Sequence, residues 1–143
     1  MAVAFARSAV DAGHRVYFTT AAELAAKCHK AALEGRWSSI MRFFAGPRLL
    51  VIDELGYLPL PGDGASALFQ VINQRYLKSS TILTTNVGIA DWAGAFGDAT
   101  VAAAMLDRLH RAAVVRIDGP SYRLRLAPVP LRQPSQRVAG RAG

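Results

Sequence analysis

Leu49-Leu50-Val51-Ile52 followed directly by Asp53-Glu54 is the stretch of this sequence whose residue types could do chemistry. Unbroken apolar residues suit a strand buried on both faces, and two carboxylates where such a strand emerges suit phosphoryl transfer. In that arrangement, the Walker B pattern, Asp53 holds Mg²⁺ through its water shell and Glu54 polarises the attacking water. Adjacent side chains on a strand point to opposite sides, so the pleat lets the two acids take different tasks. The bland alternative is an acid that caps a helix or meets solvent. Three later positions bear on the choice. Asn86 ends the next predicted strand, Thr81 to Thr85, where phosphoryl-transfer ATPases can place a polar side chain to orient water against a γ-phosphate, although Asn after a strand also suits a turn. Arg108 sits late in the following helix, where in oligomeric ATPases an arginine finger would reach a neighbouring subunit's nucleotide; as a surface residue it needs no role, and Asp107 with Arg111 can form an ordinary i,i+4 pair. Arg123 and Arg125 alternate along a short β-like run, where Arg123 can meet a phosphate or simply face solvent.

Elements that would position these residues can be read in order. Residues 2–13 predict a helix with Val3, Ala6 and Val10 on one face and Gly13 as its stop. Val16 to Thr19 predicts a strand. Thr20 and Glu23 form a T-x-x-E capping box for a helix to about Glu34, with Leu24, Cys28 and Ala32 on one face and Gly35 behind it. A linker containing Trp37, Phe43, Phe44 and Gly46-Pro47 leads to the strand Leu49 to Leu55. The cluster Pro59, Pro61, Gly62, Gly64 reads as a loop, and Asp63 as the cap of a helix that aligns Leu68, Val71, Ile72 and Tyr76. Thr81 to Thr85 predicts a strand, and Ala90 to Phe96 a short helix. Asp98 caps a helix to about Arg111 along Val101, Met105 and Leu109. Ala113 to Ile117 and Tyr122 to Leu126 predict a hairpin turning at Asp118-Gly119-Pro120-Ser121. Strands alternating with helices imply an α/β, three-layer fold with a mainly parallel sheet, whose ligands bind beyond the carboxyl ends of the strands.

At 143 residues, 52% hydrophobic and 19% charged, the chain has the balance of one folded domain rather than a disordered segment. No apolar run approaches the roughly 18 residues of a membrane span, and the start does not read as a signal peptide, so a cytoplasmic protein without membrane contact is expected. The single Cys28 reads as a small core residue. Three His and one Cys show no zinc-ligand spacing, and no helix-turn-helix is visible. The net charge of +7 is concentrated at one end: residues 1–106 set nine Lys/Arg against eight Asp/Glu, while 107–143 carry eight Arg against two Asp. Arginine suits bidentate phosphate contacts, which points to nucleic acid or nucleotide; a solvated basic tail accounts for the charge as well. Residues 127–143, rich in Pro, Gln, Ser, Arg and Gly, are expected to form a basic, disordered tail.

Taken together, LLVIDELGYLP, QRYLKSSTILTTN, ADWAGAFGD, LDRLHRAAVVRIDG and SYRLR resemble the IstB-like ATP-binding proteins of insertion sequences, relatives of the bacterial helicase loader DnaC. The resemblance runs from about Val3 to Leu126. It implies an AAA+ ATPase of the P-loop NTPase type that uses ATP and Mg²⁺, assembles as a homo-oligomer on DNA, and directs the transposase of the same insertion sequence. It further implies that Asp53 and Glu54 are the Walker B pair, with Asp53 on Mg²⁺ through water. Asn86 would be sensor 1, Arg108 the arginine finger and Arg123 the sensor-2 cation.

Family members carry G-x-x-x-x-G-K-[ST] directly before the helix that matches residues 2–13, and no Gly-Lys dipeptide occurs in this sequence. That loop supplies the backbone cradle and the lysine for the phosphates. Residues 1–126 are therefore expected to form a partial AAA+ domain lacking its first central strand and its P-loop. Such a domain would have unpaired strand edges, each orphan group costing on the order of 1–3 kcal/mol, and impaired nucleotide binding. A catalytically silent remnant, a DNA- or partner-binding module and a helicase-loader fragment are the alternatives.

Overall fold

In a computed structural model of the chain, the described residues are 1–57, 60, 62–109, 112, 113, 115 and 116. Met1–Ala112 form one compact unit, and Ala113–Gly143 are a separate one. The expected hairpin, Arg123 and the tail lie outside the described residues, apart from Ala113, Val115 and Arg116.

The apolar runs become three parallel strands, β1 (Val16–Thr20), β2 (Leu49–Leu55) and β3 (Ser80–Thr85), in the spatial order β1-β2-β3. Register sets Tyr17, Leu50 and Thr81 side by side, then Phe18, Val51 and Ile82, then Thr19, Ile52 and Leu83. Alternate rows face opposite sides of the sheet. Leu50 and Ile52 belong to the main core, formed with Leu24 and Cys28 of helix α2 (Ala21–Leu33) and Leu68, Val71 and Ile72 of α4 (Gly64–Arg75). Against α2 and α4 pack α3 (Trp37–Ala45) and α6 (Ala99–Leu109), the latter joined by α5 (Trp92–Phe96). Helix α1 (Ala2–Asp11) touches β1 and β2 from the other side, completing three layers. The expected α/β architecture with a parallel sheet is the one observed.

Local signals explain most boundaries. The Thr20 hydroxyl accepts from the Glu23 amide at 3.1 Å, and the Glu23 carboxylate accepts from the Thr20 amide at 3.5 Å, which is the capping box read from the sequence. Asp98 Oδ1 accepts from the Thr100 and Val101 amides at 2.9 and 3.1 Å and so caps α6. Gly13 adopts φ +84°, letting the chain turn out of α1 into β1.

Three local expectations need correction. Trp37–Ala45, expected as linker, is a nine-residue helix that buries Met41 and Phe44 against α2 and α4. Asp63 stands at the start of α4 but makes no side-chain cap; its carboxylate faces His29 at 3.6 Å instead. Lastly, the end of β2 is not a simple pleat. Ile52 pairs with Leu83 and Leu55 with Thr85, so Asp53 and Glu54 together oppose Thr84, and Glu54 takes φ +60°. This is a bulge, and it separates the two acids by backbone conformation rather than by alternation.

Candidate functional site

The carboxyl ends of β2 and β3 bring Asp53, Glu54 and Thr84 into direct contact. The Thr84 hydroxyl donates to Asp53 Oδ1 and accepts from the Glu54 amide at 3.1 Å. The same amide reaches Asp53 Oδ1 at 3.0 Å. Asp53 is partly buried and Glu54 exposed, so one carboxylate is anchored and the other stands toward solvent. An outlier backbone at a non-glycine residue is costly, about 1–3 kcal/mol, and persists where surrounding contacts over-determine it. Here those contacts are the Thr84 side chain and the Tyr57 amide, which donates to the Glu54 carbonyl at 3.3 Å.

Asn86 follows β3 directly, and its neighbours are tied to β2. The Thr85 hydroxyl donates to the Leu55 carbonyl at 2.8 Å and accepts from the Val87 amide at 3.1 Å. Gly56, at φ +85°, lies so close to the same loop that a β-carbon there would meet Val87 Cγ2 at 2.6 Å. The segment after Glu54 and the segment around Asn86 are therefore packed as one edge.

Arg108 is elsewhere. Its Nε donates to Asn73 Oδ1 at 2.8 Å and its guanidinium lies 5.3 Å from the Tyr76 ring centroid, with Asp107 at 3.4 Å. Asn73 and Tyr76 end the helix that leads back from the carboxyl edge of β2 to the start of β3. Arg108 is thus at the opposite end of the parallel sheet from Asp53 and does not join that cluster within one chain.

Sequence reading missed Thr84, Thr85 and Gly56 as partners of the acids, and it missed Arg75. Arg75 is 1% exposed, and burial lowers its pKa from the ordinary guanidinium value. It donates to Thr81 Oγ1 at 3.0 Å and to the carbonyls of Phe44, Pro47 and Ser80 at 2.8, 2.9 and 2.6 Å. The only signal available was an Arg at a helix end directly before a strand, which is too common to single out. Cys28 is buried as expected, and burial, aided by the Asp63 charge, pushes its thiol up to about 11. No group of three or more potential metal ligands occurs among the described residues. A carboxylate and a hydroxyl at a strand end suit a hard cation held through water, not a multi-ligand cage.

The IstB-like ATP binding protein family model matches residues 1–128. The insertion sequence IS21 putative ATP-binding protein of Pseudomonas aeruginosa is 45% identical over 126 residues, 87% of this chain and 48% of that protein. Its counterpart from IS5376 of Geobacillus stearothermophilus is 40% identical over 126 residues, 87% of this chain and 50% of that protein. The chain spans about half the length of these curated relatives. Among solved structures, AMPPCP-bound DnaA from Aquifex aeolicus superposes with a TM-score of 0.61 at 19% identity, over 73% of this chain and 33% of that one. That likeness shows the fold to be of the AAA+ kind.

Proposed function

The chain belongs to the IstB-like ATP-binding protein family, and from that premise we propose that it carries the water-activating half of an ATP-hydrolysing site used in DNA transposition. The observation that supports this most is the locked Asp53-Glu54 bulge at the carboxyl edge of the sheet, beside the segment bearing Asn86. Mg²⁺-bound ATP supplies the phosphoryl group and the charge neutralisation of the reaction. Asp53, anchored through Oδ1, fits a water-mediated hold on the cation; both hydrogen bonds that it accepts from described residues fall on that oxygen. Glu54, exposed and separated from Asp53 by the bulge, polarises the attacking water, and Asn86 orients it. Arg108, distant from its own chain's acids, serves the nucleotide of a neighbouring subunit in a homo-oligomer. Arg123 is assigned the sensor-2 role on sequence alone.

In this reading the partners are DNA, met through the Arg-rich end, and the transposase of the same insertion sequence, in the cytoplasm. No helix among the described residues is long and apolar enough to cross a membrane. Because residues 1–143 contain no G-x-x-x-x-G-K-[ST], these residues by themselves are proposed to bind nucleotide poorly. Titration of residues 1–143 with a fluorescent ATP analogue and Mg²⁺ tests the point: no saturation at millimolar nucleotide is expected, and micromolar affinity would overturn it.

A further inference from the structure

We propose that Thr84 is a positioning residue of this site, fixing the Asp53 carboxylate and the Glu54 main chain in a single geometry; the inference rests on the roles given above to Asp53 and Glu54. A threonine hydroxyl has one proton to donate. Here it goes to Asp53 Oδ1, while the oxygen accepts the Glu54 amide at 3.1 Å. With the 3.0 Å bond from that amide to Asp53 Oδ1, the three residues close a ring of hydrogen bonds. The bulge leaves two residues of β2 facing one of β3, so the Glu54 amide cannot take its ordinary place in the ladder. The side chain of the facing residue supplies one of its two acceptors, Asp53 Oδ1 being the other, and orients that second acceptor as well. Part of what holds Glu54 at φ +60° is therefore a contact that a residue without a hydroxyl cannot make.

Two substitutions separate this role from mere strand packing. Thr84→Val keeps the β-branched shape and removes the hydroxyl; Thr84→Ser keeps the hydroxyl and removes the branch. Amide exchange followed by NMR on the 143-residue chain reads the main-chain effect. Exchange at Glu54, taken relative to Leu50 and Val51 in the same strand, is expected to accelerate roughly fivefold in Thr84→Val and to return to the native ratio in Thr84→Ser. Added Mn²⁺ alone reads the carboxylate, through paramagnetic broadening of the Asp53 and Glu54 amides. The concentration needed is expected to rise several-fold in Thr84→Val and to be restored in Thr84→Ser. An unchanged exchange ratio in Thr84→Val, from no acceleration at Glu54 or from acceleration shared by Leu50 and Val51, overturns the proposal. Absence of any Mn²⁺ effect in the native chain contradicts the metal-binding role of Asp53 instead, and the exchange ratio still decides Thr84.

Discussion

Arg75 shows how much one side chain can hold. Its fork reaches the end of α3, the turn into β2 and the start of β3, each through a backbone carbonyl, that of Phe44 in a buried contact and those of Pro47 and Ser80 in part-buried ones. Removing one partner from a buried, charged hydrogen-bond set typically costs about 3–5 kcal/mol, because the remaining groups stay desolvated. Arg75→Met is therefore expected to lower unfolding stability by that order in urea titration, with Arg75→Lys intermediate because an ammonium lacks the planar fork. A loss below about 1 kcal/mol would show that solvent reaches these carbonyls. Cys28 gives a second check. Its thiol, raised from 9.0 to about 11, stays protonated at neutral pH and is buried. Since protonation is favoured in the folded state, its contribution to stability is full below pH 9 and falls as the pH climbs toward 11. Iodoacetamide at pH 8 should label Cys28 slowly in the native chain and at the rate of a free thiol in urea; rapid native labelling would place the residue at the surface.

Among the elements, the tight approach of Gly56 to Val87 joins the end of β2 to the loop that carries Asn86. Gly56→Ala adds a β-carbon at a positive φ and against a side chain, so a loss of about 1–3 kcal/mol is expected in urea unfolding. Chemical-shift changes should centre on Val87 and Asn86; a neutral substitution would mean that the two segments move apart freely. What the sequence revealed and what it hid follow from this level. The three strands were legible because each is an apolar or β-branched run, and α2 and α6 because Thr20, Glu23 and Asp98 announce their starts. Helix α3 was not, since Arg36 at its start provides no side-chain cap and its aromatic residues fit a linker equally well. The candidate acids were legible by type and place, yet the bulge was hidden because a Glu at positive φ carries no glycine to mark it. Thr84 and Thr85 looked like strand residues, and only the register turns them into partners of the acids.

For the whole molecule, the helical layers are unequal. The α2 and α4 side holds the main core, whereas α1 buries no residue, with Val3 67% and Val10 56% exposed over Val16 and Phe18. Among the described residues β3 pairs only with β2, and none of its residues is buried. The eight Arg of residues 107–143 are the charge that a DNA contact would use. If they meet phosphates, DNA affinity should fall steeply and linearly in log-log form between about 50 and 200 mM salt, by roughly 10³-fold or more for six contacts; a salt-independent affinity would remove them from the interface. The central claim, that Asp53 and Glu54 form the hydrolytic edge of an ATP site, is tested most directly by Glu54→Gln in a polypeptide that carries a G-x-x-x-x-G-K-[ST] segment ahead of Ala2, measuring Mg²⁺·ATP binding and turnover on DNA together. The expected result is binding within about twofold of the unsubstituted polypeptide and turnover reduced on the order of 100-fold or more. Unaltered turnover would contradict the account.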